Sequence, residues 1–188
     1  AGIGAVLAPK LLAAHVPFVW LGDPRHLPEG TGWAEVTDLA DLPQGVLPVL
    51  RHDFAAPATP GQATPANARG VIEVIERAVA LTMAGQAAGI CTMPINKKAL
   101  KDGAGFAFPG HTEVLAHLAG DVDVAMMLAS TTVQPPCRVV PATIHIALSQ
   151  VSSALTPAAL ESAIRITHAA MIDDFGLPAP RLAVAGLN

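Results

Sequence analysis

Residues 122–128, Val122-Asp123-Val124-Ala125-Met126-Met127-Leu128, and residues 138–148, Arg138-Val139-Val140-Pro141-Ala142-Thr143-Ile144-His145-Ile146-Ala147-Leu148, read as two continuous apolar strands. A strand wetted on one face alternates apolar and polar side chains, whereas a strand covered on both faces does not. These runs therefore predict a largely parallel sheet buried on both sides. Shorter runs extend the pattern: Val16 to Leu21, Val46 to Leu50 (weakened by Pro48), Ala88 to Met93 stopping at Pro94, and Arg181 to Ala185. Helical patterns lie between them, over roughly residues 4–14, after Thr64-Pro65 and after Thr156-Pro157, each of the last two a capping hydroxyl followed by a first-turn proline. The helix after Thr64 carries Val71, Ile72, Val74, Ile75, Ala78 and Val79 on one broad face, with Glu73, Glu76 and Arg77 away from it, and Gly85 and Gly89 end it. The helix after Thr156 repeats Leu160, Ile164, Thr167, Met171 and Phe175 at three- and four-residue steps, and Gly176 closes it. Strands alternating with helices, without hairpin-dense stretches, predict a layered α/β fold.

The 188 residues are 52% apolar and 14% charged, which excludes a disordered chain. No run of roughly 18 apolar residues escapes a charge or a proline, so no membrane span is expected. A net charge of −4, no Tyr and 4% aromatic residues argue against a phosphate-tracking groove, so nucleic acid is not an expected partner. Cys91 and Cys137 make no disulfide framework; their apolar surroundings predict buried thiols in a reducing cytoplasm. The chain starts at Ala1 inside Ala1-Gly2-Ile3-Gly4, with no leader read before the first element, and stops just after the last apolar run. A piece of a longer protein is expected.

In α/β sheets functional residues gather at the carboxyl ends of strands. The run ending at Met93 is followed by Pro94-Ile95-Asn96-Lys97-Lys98-Ala99-Leu100, in which Asn96 is a helix cap. Lys97 or Lys98 is then placed to meet an anionic ligand; the plainer alternative is a surface helix with solvated lysines. Next comes Phe108-Pro109-Gly110-His111-Thr112-Glu113. Gly110 permits close backbone approach, Thr112 can cap, and a His and a Thr at a helix N-terminus suit a phosphate or carboxylate. The alternative is a capping motif in which His111 only packs. His145 sits in an apolar run, where an unpartnered imidazole is costly, so a hydrogen-bond partner or a metal is expected. No two histidines share a short ligand spacing, and any ion must draw ligands from distant segments or another chain. Ala1-Gly2-Ile3-Gly4 lacks the third glycine of a dinucleotide fingerprint, and neither a P-loop nor a Gly-x-Ser-x-Gly elbow occurs. His15, His26, His52, His117 and His168 follow no pattern and read as surface or helix residues.

Taken in order, Thr92-Met93-Pro94-Ile95-Asn96-Lys97-Lys98-Ala99-Leu100, Phe108-Pro109-Gly110-His111-Thr112-Glu113, Ala125-Met126-Met127-Leu128-Ala129-Ser130 and Thr143-Ile144-His145-Ile146-Ala147-Leu148 resemble the 4-hydroxythreonine-4-phosphate dehydrogenase family of pyridoxal phosphate biosynthesis. Ala1-Gly2-Ile3-Gly4 is similar to that family's first loop, and Ala185-Gly186-Leu187-Asn188 to the start of its Gly-Leu-Asn-Pro-His segment. Met93 stands where the family usually has a small residue, and Ala5-Val6 where it has Pro-Glu. The resemblance implies an isocitrate/isopropylmalate dehydrogenase-like α/β fold, with residues 1–188 a partial chain of a two-lobed, homodimeric enzyme of the cytoplasm. It implies NAD-dependent oxidation of 4-phosphooxy-L-threonine assisted by a divalent metal (zinc, magnesium or cobalt), followed by decarboxylation. His111 and Thr112 are implied to bind substrate, and His145 to be the first of three metal-ligating histidines. The other two, with further phosphate- and NAD-binding residues, are implied to lie beyond Asn188. This chain alone is therefore expected neither to bind metal tightly nor to turn over. A paralogue acting on threonate or erythronate 4-phosphate, and a non-catalytic fragment, are the competing expectations.

Overall fold

A computed structural model of the protein describes residues 17–186. The helix expected over residues 4–14, the Ala1-Gly2-Ile3-Gly4 loop, His15 and the final Leu187-Asn188 lie outside the described residues. The chain divides into two compact units between Gly120 and Asp121.

The first unit is built on a three-stranded parallel sheet, β1 (Trp20–Gly22), β2 (Trp33–Glu35) and β3 (Leu47–Arg51), in the order β1-β3-β2. The central β3 is buried from Leu47 to Leu50, as a strand flanked on both sides must be. Pro48 is tolerated there because pairing with β1 begins at Trp20↔Val49, one residue past the proline, so no rung is lost to its missing N–H. Leu47 and Val49 gather Phe18, Trp20 and Leu27 around them.

After a 3-10 turn over Pro65–Asn67, α1 (Ala68–Met83) begins, three residues later than the Thr64-Pro65 signal predicts. Thr64 makes no side-chain capping bond; the proline starts the tighter turn, which hands over to the α-helix. The expected apolar face is the one that packs. Ala68 and Ile75 bury against Leu100 of α2 (Lys97–Ala104), Phe106, and Val114 of α3 (His111–Leu118), with Val71 and Ile72 alongside. Gly103 is required by space: a Cβ there would lie 2.2 Å from the Pro65 carbonyl oxygen and 2.7 Å from the Ala68 Cβ, so α2 crosses the start of α1 at backbone contact.

The second unit holds a two-stranded antiparallel ribbon, β4 (Leu128–Ser130) with β5 (Cys137–Val139), then α4 (Val151–Ala154) and α5 (Pro157–Asp173). Here the Thr156-Pro157 signal is met in full: the Thr156 hydroxyl accepts from the Ala159 amide at 3.1 Å, and Gly176 ends the segment with φ +64°. The Arg138 guanidinium lies 4.4 Å from the Phe175 ring centroid.

Four expected strands differ. Residues 122–127 are irregular, and the strand begins only at Leu128; residues 138–148 are a strand only as far as Val139; residues 88–93 and 181–185 form none. An apolar run becomes a strand only where a second strand takes its N–H and C=O groups, and beyond the Leu128–Val139 pairing these segments meet none among the described residues. Ile90, Met93, Val122, Val124, Met126, Ile146 and Val184 are correspondingly exposed. Cys91 and Cys137, expected inside, are exposed as well, because the runs that carry them are uncovered. The parallel arrangement predicted for the sheet holds in the first unit; the ribbon of the second is antiparallel.

Candidate functional site

Lys97 and His111 open two consecutive helices whose relative placement is set by the Leu100, Phe106 and Val114 core. Asn96 caps α2 as its sequence predicts, its Oδ1 accepting from the Ala99 amide at 2.9 Å. Gly105, in the left-handed region at φ +66°, closes α2 and turns the chain toward α3. Gly110, not Thr112, is the N-cap of α3; it caps with no side-chain bond, and Thr112 lies within the first turn, half-buried like His111. At φ −170° the Gly110 backbone is one any residue adopts, so its value is room. A Cβ there would lie 3.3 Å from Glu113 Oε2 and 3.9 Å from Lys97 Nζ. The lysine ammonium and the glutamate carboxylate thus approach one bare glycine, next to His111.

The electrostatics follow from that packing. Burial, and then the nearby Lys97 ammonium, hold the His111 imidazole below its usual pKa, so it is neutral at pH 7 and able to donate and to accept. The first-turn amides of α3 and the positive end of its dipole face the same place. Lys98 is engaged elsewhere, in an i,i+4 ion pair with Asp102. The two lysines left open by the sequence are therefore distinguished by the structure: Lys97 turns to His111, and Lys98 turns along its own helix.

His145 belongs to the second unit. It is exposed and sits not in a strand but at φ +56°, a left-handed backbone that side chains adopt in turns, His more readily than most. The expected apolar burial is absent because the strand ends at Val139, before Pro141. Among the described residues no three His, Cys, Asp or Glu side chains converge on a point that would hold a metal ion. His145 offers one ligand, and one imidazole does not fit a catalytic ion by itself.

A second polar cluster, missed in the sequence, lies at the carboxyl ends of β1 and β3. Asp23 is fully buried. Its carboxylate accepts from Arg25 N at 2.9 Å, Arg25 Nη2 at 2.6 Å and Phe54 N at 2.9 Å. Burial alone would raise its pKa; the Arg25 hydrogen bonds and the two amides reverse that and hold it well below the usual carboxylate range. His26, also buried, donates from Nε2 to the Ala56 carbonyl at 3.1 Å, and burial lowers its pKa. Asn67 holds Ala56 from both sides, by Oδ1 at 2.8 Å and Nδ2 at 2.9 Å. Of the histidines expected on the surface or in a helix, His26 ends a 3-10 turn (Pro24–His26) but is buried, and His52 is half-buried outside any helix, its Nε2 3.3 Å from Glu73 Oε2. The missed signal was Asp23-Pro24, a cap followed by a first-turn proline. Every donor and acceptor named for Asp23, His26 and Asn67 is internal, so this cluster reads as a clasp between loops.

Comparison with known proteins gives the family of the chain. A family model described as pyridoxal phosphate biosynthetic protein PdxA matches residues 15–188. The chain is 74% identical to a 4-hydroxythreonine-4-phosphate dehydrogenase of Paracoccus denitrificans and 56% identical to one of Roseobacter denitrificans, with all of this chain covered in both alignments. It spans 59% of the length of each of these relatives. Among solved structures, a crystal structure of 4-hydroxythreonine-4-phosphate dehydrogenase from Klebsiella pneumoniae superposes with a TM-score of 0.85 at 30% identity, covering 100% of this chain and 61% of that one. A putative enzyme of the same kind from Salmonella typhimurium matches with a TM-score of 0.85 at 28% identity. With the model spanning nearly every residue, and the α/β architecture shared with solved members, the chain belongs to the PdxA family of pyridoxal phosphate biosynthetic proteins.

Proposed function

We propose that the full-length protein oxidises the 3-hydroxyl of 4-phosphooxy-L-threonine with NAD, and that the resulting 3-oxo acid loses carbon dioxide on the way to pyridoxal 5'-phosphate. The observation that carries this reading is 74% identity, over the whole of this chain, to a relative bearing that dehydrogenase name. The first turn of α3 supports it chemically. Neutral His111 donates a hydrogen bond to the substrate, the Thr112 hydroxyl adds a second, and the turn's amides favour an anionic group. A divalent ion, zinc, magnesium or cobalt, belongs to the proposal, with His145 as one ligand and the others outside this chain's described residues. When bound, it would supply Lewis-acid polarisation of the reacting oxygen. No residue of this chain is assigned to NAD. The same reading carries a homodimer working in the cytoplasm. Among the described residues no helix is long and apolar enough to cross a membrane.

The test is NADH formation by the purified full-length protein with a divalent metal. 4-Phosphooxy-L-threonine is expected to be turned over. Turnover confined to threonate or erythronate 4-phosphate moves the protein to a paralogous activity, and no NADH from any of the three makes it non-catalytic.

A further inference from the structure

We propose that Lys97, and not Lys98, is a further substrate-positioning residue, its ammonium binding an anionic oxygen of the ligand held by His111 and Thr112. The inference rests on the substrate-binding role proposed above for the first turn of α3. Its own basis is geometric. Lys97 begins α2 and Lys98 follows it, so the two side chains leave the helix about 100° apart. The Asn96 cap fixes where that first turn starts, and hence which lysine faces α3. Lys98 runs along α2 to Asp102. Lys97 instead crosses to the next helix, where its Nζ lies 3.9 Å from the Cβ position that Gly110 leaves vacant. The crossing is held by buried packing, since Leu100 on α2 and Val114 on α3 share one core with Phe106 between them in sequence. The Glu113 Oε2 lies 3.3 Å from the same point, so a carboxylate borders the position on its other side. An arriving phosphate or carboxylate would meet a cation beside a neutral imidazole, over a glycine with no side chain of its own, and would displace the Glu113 carboxylate from that point.

Calorimetric titration of the full-length protein with 4-phosphooxy-L-threonine, without NAD, tests this. K97M is expected to bind about tenfold more weakly or worse, as loss of a charge-assisted hydrogen bond predicts. K97R is expected to recover most of the affinity, and K98M to stay within about twofold of wild type. In the same protein the His111 imidazole, followed by NMR, is expected to titrate at higher pH in K97M than in wild type or K98M while the dispersed resonances of the first unit stay in place; loss of structure would also raise it, by exposing the ring, but would collapse that dispersion. Competition by inorganic phosphate and by L-threonine identifies the anion: a Lys97-dependent effect with the first assigns the phosphate, with the second the carboxylate. Wild-type affinity in K97M, or an equal loss in K98M, overturns the inference. A wild-type protein that ignores 4-phosphooxy-L-threonine yet binds inorganic phosphate through Lys97 overturns the proposed substrate and leaves the lysine's role standing. Binding of neither overturns both.

Discussion

Leu47 and Val49 of β3 are fully buried, whereas Leu128 of β4 and Val139 of β5 stand 56% and 53% exposed. The four residues come from equally apolar runs, and the difference lies in what surrounds them. In the first unit β3 has a strand on each side and lies among Phe18, Trp20 and Leu27, while α1, α2 and α3 close a second core. In the second unit Met171 is the only buried apolar side chain among the described residues. Its ribbon has two strands, the smallest pairing possible and one of marginal stability on its own. Burial is a property of the pair of surfaces, and hydrophobic runs become core only where a second apolar surface removes them from water.

That contrast can be broken by experiment. Both tryptophans, Trp20 and Trp33, lie in the first unit, so urea unfolding followed by their fluorescence reports on it alone. Asp23→Ala is expected to cost the most, about 3–4 kcal/mol, because it leaves the Arg25 and Phe54 amides without their acceptor, the half-exposed Arg25 guanidinium turning to water. A loss below about 1 kcal/mol would mean the clasp does not hold the unit together. Gly103→Ala is expected to lower stability by about 2–3 kcal/mol, since the new methyl meets the Pro65 carbonyl rather than a side chain that can move.

The pH dependence sharpens the picture further. The folded-state pKa of His26 lies below its ordinary value of 6.5, so the unfolded chain binds a proton first as pH falls. Stability from neutral His26 is complete above about pH 6.5 and is lost as pH drops through the folded value. His26→Gln should flatten that acid limb in urea titrations at pH 7 and pH 5; an unchanged slope would show that His26 is not the titrating group. The smallest effect is expected for Leu128→Ser, within about 0.5 kcal/mol by thermal unfolding of the second unit, as for an exposed position. A loss rivalling that of a core leucine would erase the difference between the two units.

Part of this was legible in the residues. Asn96 and Thr156 cap the helices they precede, because a side-chain oxygen reaching an amide three residues on is a local event. The apolar face of α1 packs as its periodicity predicts, since helical geometry lets no other face collect those side chains. The candidate site was readable for the same reason: Gly110, His111 and Thr112 are contiguous, and one helical turn assembles them. Asp23, His26 and Asn67 were not readable as a group, because Phe54 and Ala56, which they hold, are 11 to 31 residues away along the chain.

The sequence by itself determined the caps of α2 and α5, the apolar face of α1 and the adjacency of Gly110, His111 and Thr112, all set by bonds and side chains within a few residues of one another. Only the tertiary structure decided which apolar runs became strands, that His145 is exposed in a left-handed turn, and that Lys97 rather than Lys98 reaches His111. Each of those depends on a partner distant in the chain, and such a partner leaves no mark on the local pattern.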